Sequence, residues 1–362
     1  MRATLVRAGL RGLSTAQVRQ VRAVRYGAAD DVVARVYREL ERDFGVLAPP
    51  IALHAPSPDV LAGAWLMLRE TLLVPGAVPR AQKEAVSTAV SETNNCPFCI
   101  SMHSSMLIDL VGYRDGANPE PRSRAVGDWA TANATPDGAA GHPVPFPAEQ
   151  APEMIGTAVI LQYLNRMVNI FLGELPLPPG APASSMTVVR RVLVWLIKSA
   201  ERSGPRAGTS LDLLPEAPLP DDLKWAEGHA AIAGAYARAA AAIDGAGRRS
   251  VPDEVRALVH ERLARWDGRP VGVSRAWVEE AIAGLPADQR DAGRLALLTA
   301  LASYQIDQSV LDRFRAGNPS DAALIDLTSW SSLAAARRVG SWMRFRAEEP
   351  DVRPPAARSA QD

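Results

Sequence analysis

Glu92-Thr-Asn-Asn-Cys96-Pro-Phe-Cys99-Ile-Ser-Met-His103 holds both cysteines of the chain, and how this stretch folds decides what surrounds it. If it is helical, residues three and four apart share a face, so Cys96, Cys99 and His103 form one stripe. Asn94 and Asn95 are N-cap residue types and Pro97 suits the first helical position, which puts Cys99 in the first turn. The orphan N–H groups and positive dipole end found there favour thiolate, the nucleophilic form of cysteine. A Cys-x-x-Cys pair on one turn also has about the 5–6 Å Cα separation that a disulfide accepts. A reversible two-thiol redox couple is therefore sterically possible.

Three quieter readings stand beside it. Cys96, Cys99 and His103 are three potential zinc ligands, but a closed site needs a fourth and no second Cys/His cluster supplies one, which leaves only an open catalytic site. Two small core thiols without chemistry are another reading. A purely structural disulfide closes a tiny loop and restrains the unfolded chain little.

Outward from the cysteines the pattern is helical almost throughout. Ala81–Thr93 opens just after Pro79 and ends at the paired asparagines; the cysteine helix runs from Pro97 to about Leu110, with Gly112 as its stop. Val32–Asp43 and Pro58–Leu73 carry apolar residues at helical spacing, Ala125–Ala134 reads as a short helix, and Pro136–Pro147 reads as a Pro/Gly loop carrying His142. Glu149–Leu172 is long and apolar on one side, and Pro176–Pro182 breaks it. After a loop from Gly204 to Pro220, helices are expected at Asp222–Ile243, Pro252–Trp266, Ser274–Ala283, Asp288–Tyr304 and Ala322–Met343. Sustained alternation with β-branched residues is absent, so the expected fold class is all-α.

Composition narrows the function classes. The 362 residues carry 40 Lys and Arg against 40 Asp and Glu, so electrostatics implies neither nucleic acid nor an acidic membrane as partner. Two cysteines in this length argue against a secreted disulfide scaffold and fit a soluble cytoplasmic protein. The basic N-terminal segment, with Arg2, Arg7, Arg11, Arg19, Arg22 and Arg25 and no acid, lacks the continuous apolar core of a signal peptide and reads as a solvated helix or arm. Val192–Ile197 is the strongest apolar run and, flanked by Arg190, Arg191 and Lys198, reads as a buried helix rather than a membrane span.

An internal repeat is visible when Pro79 is laid on Pro286 without gaps. Gln82 then meets Gln289, Lys83 meets Arg290, Glu84 meets Asp291, Ala85 meets Ala292 and Ala89 meets Ala296. In the same register Ser303, Ile306 and Val310 stand opposite Cys96, Cys99 and His103. If the match is a true repeat, the second half is a copy that kept the fold and lost the chemistry.

Glu84, Cys96 twelve residues on, Cys99 and His103, with Tyr163-Leu-Asn-Arg166-Met-Val-Asn further along, resemble the alkylhydroperoxidase D-like branch of the carboxymuconolactone decarboxylase superfamily. That pattern is Glu, a helix's length, then Cys-x-x-Cys-x-x-x-His. The resemblance covers residues 61–176 and reaches the second half only through the repeat. It implies an all-helical bundle, here two tandem copies with the second degenerate, and a homo-oligomer, trimer or dimer. The expected division is an N-terminal helical arm (1–50), the Cys-x-x-Cys domain (51–203), a linker (204–221), the degenerate copy (222–346) and a disordered tail (347–362).

The resemblance implies a thiol-dependent hydroperoxidase or related disulfide redox enzyme. Cys99 attacks the peroxide, Cys96 resolves the sulfenic acid to a disulfide, and His103 and Glu84 relay the proton. No bound cofactor or metal is expected. An external dithiol, a thiol reductant protein or a dihydrolipoamide-type donor regenerates the pair. Phe98 stands where some members carry a histidine between the cysteines, so one relay group is missing. Glu92, one turn before Cys96, is a second carboxylate that substitutes for Glu84 if the helix ends fall differently, and otherwise a solvated helix-end charge. Glu84 for its part also fits a surface ion pair with Arg80. Asn165 and Arg166 pair with helix ends or line the pocket, and His54, His142, His229 and His260 read as surface or satisfied core residues. The alternatives are a decarboxylase or biosynthetic enzyme of the same superfamily acting on a small organic acid or other metabolite, and a nonenzymatic interaction protein.

Overall fold

The computed structural model describes residues 2–29, 31–111, 120–173, 192, 194–200 and 204–343, and among them it is all-α, with one isolated antiparallel bridge between Val18 and Leu172. The Gly112 stop, the Pro176–Pro182 break and the 347–362 tail lie outside the described residues. The first half holds α1 (Arg2–Ala16), α2 (Asp31–Glu39), α3 (Pro49–Ala52), α4 (Pro58–Leu68), α5 (Arg80–Thr93), α6 (Pro97–Leu110), α7 (Pro121–Ala132), α8 (Pro136–Gly141) and α9 (Ala151–Phe171). The second holds α10 (Ala230–Ser250), α11 (Asp253–Arg265), α12 (Ala276–Ile282), α13 (Arg290–Ala302), α14 (Gln308–Gly317) and α15 (Asp321–Gly340).

α9 is the axis of the molecule. Its sequence suggests a one-sided apolar face, yet every residue but Asn169 is buried, because α5 and α15 pack along it and α4 crosses it. A helix enclosed on all sides must satisfy its polar groups internally. Tyr236 donates to the Gly156 carbonyl at 2.6 Å, Ser332 donates to the Tyr163 carbonyl at 2.7 Å, and the Tyr163 hydroxyl meets His54 Nε2 at 2.8 Å. His54 Nδ1 lies 3.1 Å from the Ile51 carbonyl, which only accepts, so Nδ1 carries the hydrogen and Nε2 accepts from Tyr163. Burial pushes this histidine down to about 4, so it stays neutral, a satisfied core residue. Gly340 of α15 is required by close approach, since a Cβ there meets Val159 of α9 at 2.7 Å.

One contiguous apolar core takes in both halves, from Trp65 and Tyr163 to Tyr236, Leu298 and Trp330. The 204–221 stretch lies against the first half, with the Gly208 N–H donating to Glu70 Oε2 at 3.0 Å and Arg35 gripping Asp212 at 2.6 and 2.9 Å. In the Pro79–Pro286 register α13 and α14 fall where α5 and α6 do, and a long buried helix closes each series.

Several local expectations are corrected. α2 and α4 do not run on as α-helix; each passes into a π turn, Leu40–Phe44 and Arg69–Leu73, closed by five-residue bonds from Gly45 N to Leu40 O and from Val74 N to Arg69 O, both 3.0 Å. The inserted residue rotates the face, and Arg69 meets Asp43 across the two turns at 2.8 Å. Part of the Pro136–Pro147 loop is helical, because Thr135 Oγ1 caps the Gly138 N–H at 3.1 Å and Pro136 starts α8. The helix expected at Asp222 begins as a 3₁₀ turn, Asp221–Ala226, and restarts at Ala230, where His229 caps the Ile232 N–H at 3.4 Å. α14 has no counterpart among the expected helices. Asp307 Oδ1 caps it through the Val310 N–H at 3.2 Å.

Candidate active site

α5 and α6 are antiparallel neighbours joined by a three-residue connection, Asn94 to Cys96, and that connection sets the site. The asparagines end α5 rather than start α6. Asn94 is the C-cap, its side chain donating to the Val90 carbonyl at 2.9 Å and to Gln162 Oε1 of α9 at 3.0 Å. Asn95 is left-handed at φ +49°, a conformation that asparagine tolerates and a reversal this tight requires. Cys96 is then the N-cap of α6, with Pro97 at its first position, and Cys99 lies in the first turn as the sequence suggests.

The two thiols are free and face each other, Sγ to Sγ at 2.7 Å. Cys96 is fully buried and Cys99 is 4% exposed, in an apolar pocket made by Val168, Phe98 and Leu172. Leu172 is held there by the N-terminal segment, since Val18 bridges to it and the Arg19 N–H donates to the Phe171 carbonyl at 2.7 Å. The enclosure reverses one expectation. Burial pushes the Cys99 thiol well above the usual thiol range, the neighbouring Cys96 sulfur adds to this, and the pull of its own backbone N–H does not offset them. Cys99 therefore rests as a thiol, and the helix end does not make it a standing thiolate.

His103 on α6 and Glu84 on the facing α5 form a hydrogen-bonded pair. His103 stands one turn after Cys99, so their Cβ atoms are about 5–6 Å apart. Its Nδ1 lies 2.7 Å from Glu84 Oε2, which fixes the tautomer with the hydrogen on Nδ1, because the carboxylate accepts. The other Glu84 oxygen receives Arg80 Nε at 2.7 Å, and Arg80 Nη1 reaches the Leu72 carbonyl at 3.2 Å. Burial alone would raise the Glu84 carboxyl, but Arg80 and then His103 hold it below its ordinary value, so it is ionised.

Cys96, Cys99, His103 and Glu84 are thus brought together. The Arg80–Glu84 pair exists at its i,i+4 spacing, but the carboxylate is 1% exposed and shared with His103, so it is no surface pair. Arg80 is the site residue that the sequence reading left out of the machinery. Glu92 is exposed on the last turn of α5 and does not contact His103. Arg166 is buried and donates to the Ala300 carbonyl at 2.9 Å near the end of α13, with burial pushing it down to about 10; Asn165 accepts from Ser91 at 3.3 Å. His260 stacks edge-on against Trp330 at 5.4 Å. Among the described residues no three His, Cys, Asp or Glu side chains converge as a metal ion requires, and no helix is long and apolar enough to cross a membrane.

Comparison with known proteins points the same way. The profile of the carboxymuconolactone decarboxylase family matches residues 58–112, a span that contains α4, α5 and α6 and with them Glu84, both thiols and His103. An alkyl hydroperoxide reductase of Mycobacterium tuberculosis is 38% identical over 329 residues, covering 88% of this chain and 93% of that protein. No solved structure is significantly similar.

Proposed function

The chain belongs to the carboxymuconolactone decarboxylase family, and from that membership we propose that it is a thiol-dependent hydroperoxide reductase with one redox centre, Cys96 and Cys99. The observation that carries the reading is a pair of free thiols 2.7 Å apart, one helical turn from a histidine whose tautomer a buried carboxylate fixes. The relative's name, an alkyl hydroperoxide reductase, supports the same chemistry.

In this mechanism His103 accepts the Cys99 proton through Nε2 while Glu84 stabilises the imidazolium. Cys99 Sγ attacks a peroxide oxygen, the O–O bond breaks, and the departing alkoxide takes the proton from His103 and leaves as alcohol. Cys99 is then a sulfenic acid. Cys96 Sγ attacks that sulfur, hydroxide leaves with the Cys96 proton as water, and the pair becomes a disulfide. An external dithiol returns two electrons and two protons by exchange, and it must reach a pair that is almost fully buried. A small reductant or an extended dithiol arm fits that access better than a flat protein surface.

Thiol titration tests this directly. One equivalent of an organic hydroperoxide should remove both thiols of the wild type and leave a trappable sulfenic acid in Cys96→Ser. Cys99→Ser should keep its single thiol. Unchanged thiols in the wild type would sink the proposal, and lactone decarboxylation that survives in Cys99→Ser would move the chain to the family's other chemistry.

The raised Cys99 thiol gives the pH dependence its sign. In His103→Gln, where no relay takes the proton, the thiolate forms only by loss to solvent and its fraction below the folded pKa grows about tenfold per pH unit, so the initial oxidation rate of that variant should climb with a log–log slope near 1 from about pH 7 to 9. Stopped-flow measurement with peroxide in excess reads this slope. A flat profile is what a standing thiolate gives.

A further inference from the structure

A cavity of about 550 Å³ lies between the two π turns and the 204–209 stretch, and no residue of α5 or α6 lines it. Five guanidinium side chains line it, those of Arg35, Arg38, Arg42, Arg69 and Arg206. We propose that this cavity binds a small multivalent oxyanion, either a phosphate ester or a polycarboxylate, at a site separate from the thiol pair.

Three of the five arginines are fixed in place by carboxylates. Arg69, 1% exposed, donates through Nε to Asp43 at 2.8 Å and through Nη2 to Thr209 Oγ1 at 2.9 Å, and it also pairs with Glu70. Arg42 grips the same Asp43 at 2.5 and 2.8 Å. Arg35 holds Asp212 at 2.6 and 2.9 Å and Glu39 at 3.1 Å, and Glu39 is itself locked by the Trp65 indole at 2.7 Å. These four carboxylates outnumber the first three cations by one and hold them in place. Arg38 and Arg206 are exposed and, among the described residues, carry no ion pair. They leave an excess of positive charge at the mouth, above a floor of fixed donors.

Two further features mark a built site. Glu39, Asp43, Arg69 and Glu70 are ionisable groups buried at 5%, 4%, 1% and 1% exposure, and ionised groups are costly to bury, so a fold retains such a network where it has a use. The lining draws Arg42 and Asp43 from the first π turn and Arg69 from the second, and π turns recur at functional sites. The volume falls inside the range of about 300–1,000 Å³ usual for small-molecule pockets. Arginine forks match phosphate and carboxylate oxygens two at a time.

The test is calorimetric titration of the full chain with pyrophosphate and, separately, with citrate, at matched ionic strength set by chloride. At least one should bind saturably, with a Kd of about 1 mM or tighter that weakens as salt rises. Arg38→Gln/Arg206→Gln should weaken that binding at least about tenfold, since each loses charge-assisted hydrogen bonds. Both side chains are exposed and unpaired, so the variant should melt as the wild type does without anion, and its thiols should answer peroxide unchanged. Binding of pyrophosphate alone supports a phosphate ester, binding of citrate alone supports a polycarboxylate, and binding of both supports the shared oxyanion chemistry. Saturable binding of neither, or equal binding by the double variant, overturns the site while leaving the thiol chemistry untouched.

Discussion

Glu84→Gln is expected to slow peroxide-driven loss of the two thiols by about 10²–10⁴-fold, the usual contribution of a positioned proton relay. The amide keeps the shape of the side chain and still accepts from His103 Nδ1, so the tautomer survives. What disappears is the negative charge that makes imidazolium affordable when Cys99 gives up its proton, and Cys99 needs that help because burial holds its thiol neutral. His103→Gln should lose a similar factor, and the double variant little more, since residues that act as one unit are not additive. Stability should also fall, by about 1–3 kcal/mol, less than a fully buried broken pair, because Arg80 and His103 keep 15% and 18% exposure and water takes up part of their charge. The Glu84 carboxyl is held below its ordinary value of 4.5, so its contribution is complete above that pH and is lost as pH falls through the lowered folded value. Chemical denaturation of wild type and Glu84→Gln across pH 3 to 7 should therefore show two curves that converge at the acid end. Wild-type oxidation rates in Glu84→Gln would rule the relay out.

The helices of this chain were legible where burial follows a helical period, and the misreadings have local physical causes. α5, α6, α11 and α15 lie within a few residues of their expected limits because proline, asparagine and glycine punctuate them. α14 is short, and its Val310, Leu311 and Phe314 share one face at helical spacing after the capping Asp307, a signal present in the sequence but outweighed by the charged residues between them. The π turns left no trace in the periodicity, because a one-residue insertion is felt only through the partner it faces, here Arg69 across from Asp43. At the site, spacing and family pattern together single out Glu84, Cys96, Cys99 and His103, and the structure pairs Cys96 with Cys99 and Glu84 with His103. Their burial was not legible. The same i,i+4 Arg80–Glu84 spacing suits a solvated pair and a buried one, and only the packing of α5 against α6, α7 and α9 distinguishes them. The thiolate expectation failed for the same reason, since a helix end can favour thiolate only as far as desolvation allows.

Lys83→Met should cost about 3–5 kcal/mol, the range for removing one partner of a buried ion pair. Lys83 Nζ lies 2.5 Å from Glu153 Oε2 with both side chains nearly sealed, at 2% and 3% exposure, and Nζ also reaches the Val74 carbonyl at 3.3 Å. Methionine fills about the same volume but leaves the Glu153 carboxylate buried with, among the described residues, the Ala77 N–H at 2.6 Å as its remaining donor. Desolvation already pulls Lys83 below its ordinary value, so the pair persists through the attraction of Glu153 rather than through solvation. Lys83→Met/Glu153→Gln should regain more than half of the loss, because the amide still accepts from Ala77 and no charge remains stranded. The pair also bears on chemistry. Lys83 precedes Glu84 on α5, and Glu153 opens α9, whose far end supplies Val168 to the thiol pocket, so the bridge fixes how α5 seats against the helix that closes over Cys99. Lys83→Met should accordingly raise the rate at which Cys99 reacts with an aromatic disulfide reagent well below the melting temperature, whereas the double variant should not. A stability loss without that gain in thiol access would mean that the pair braces the core and leaves the seating of the site to other contacts.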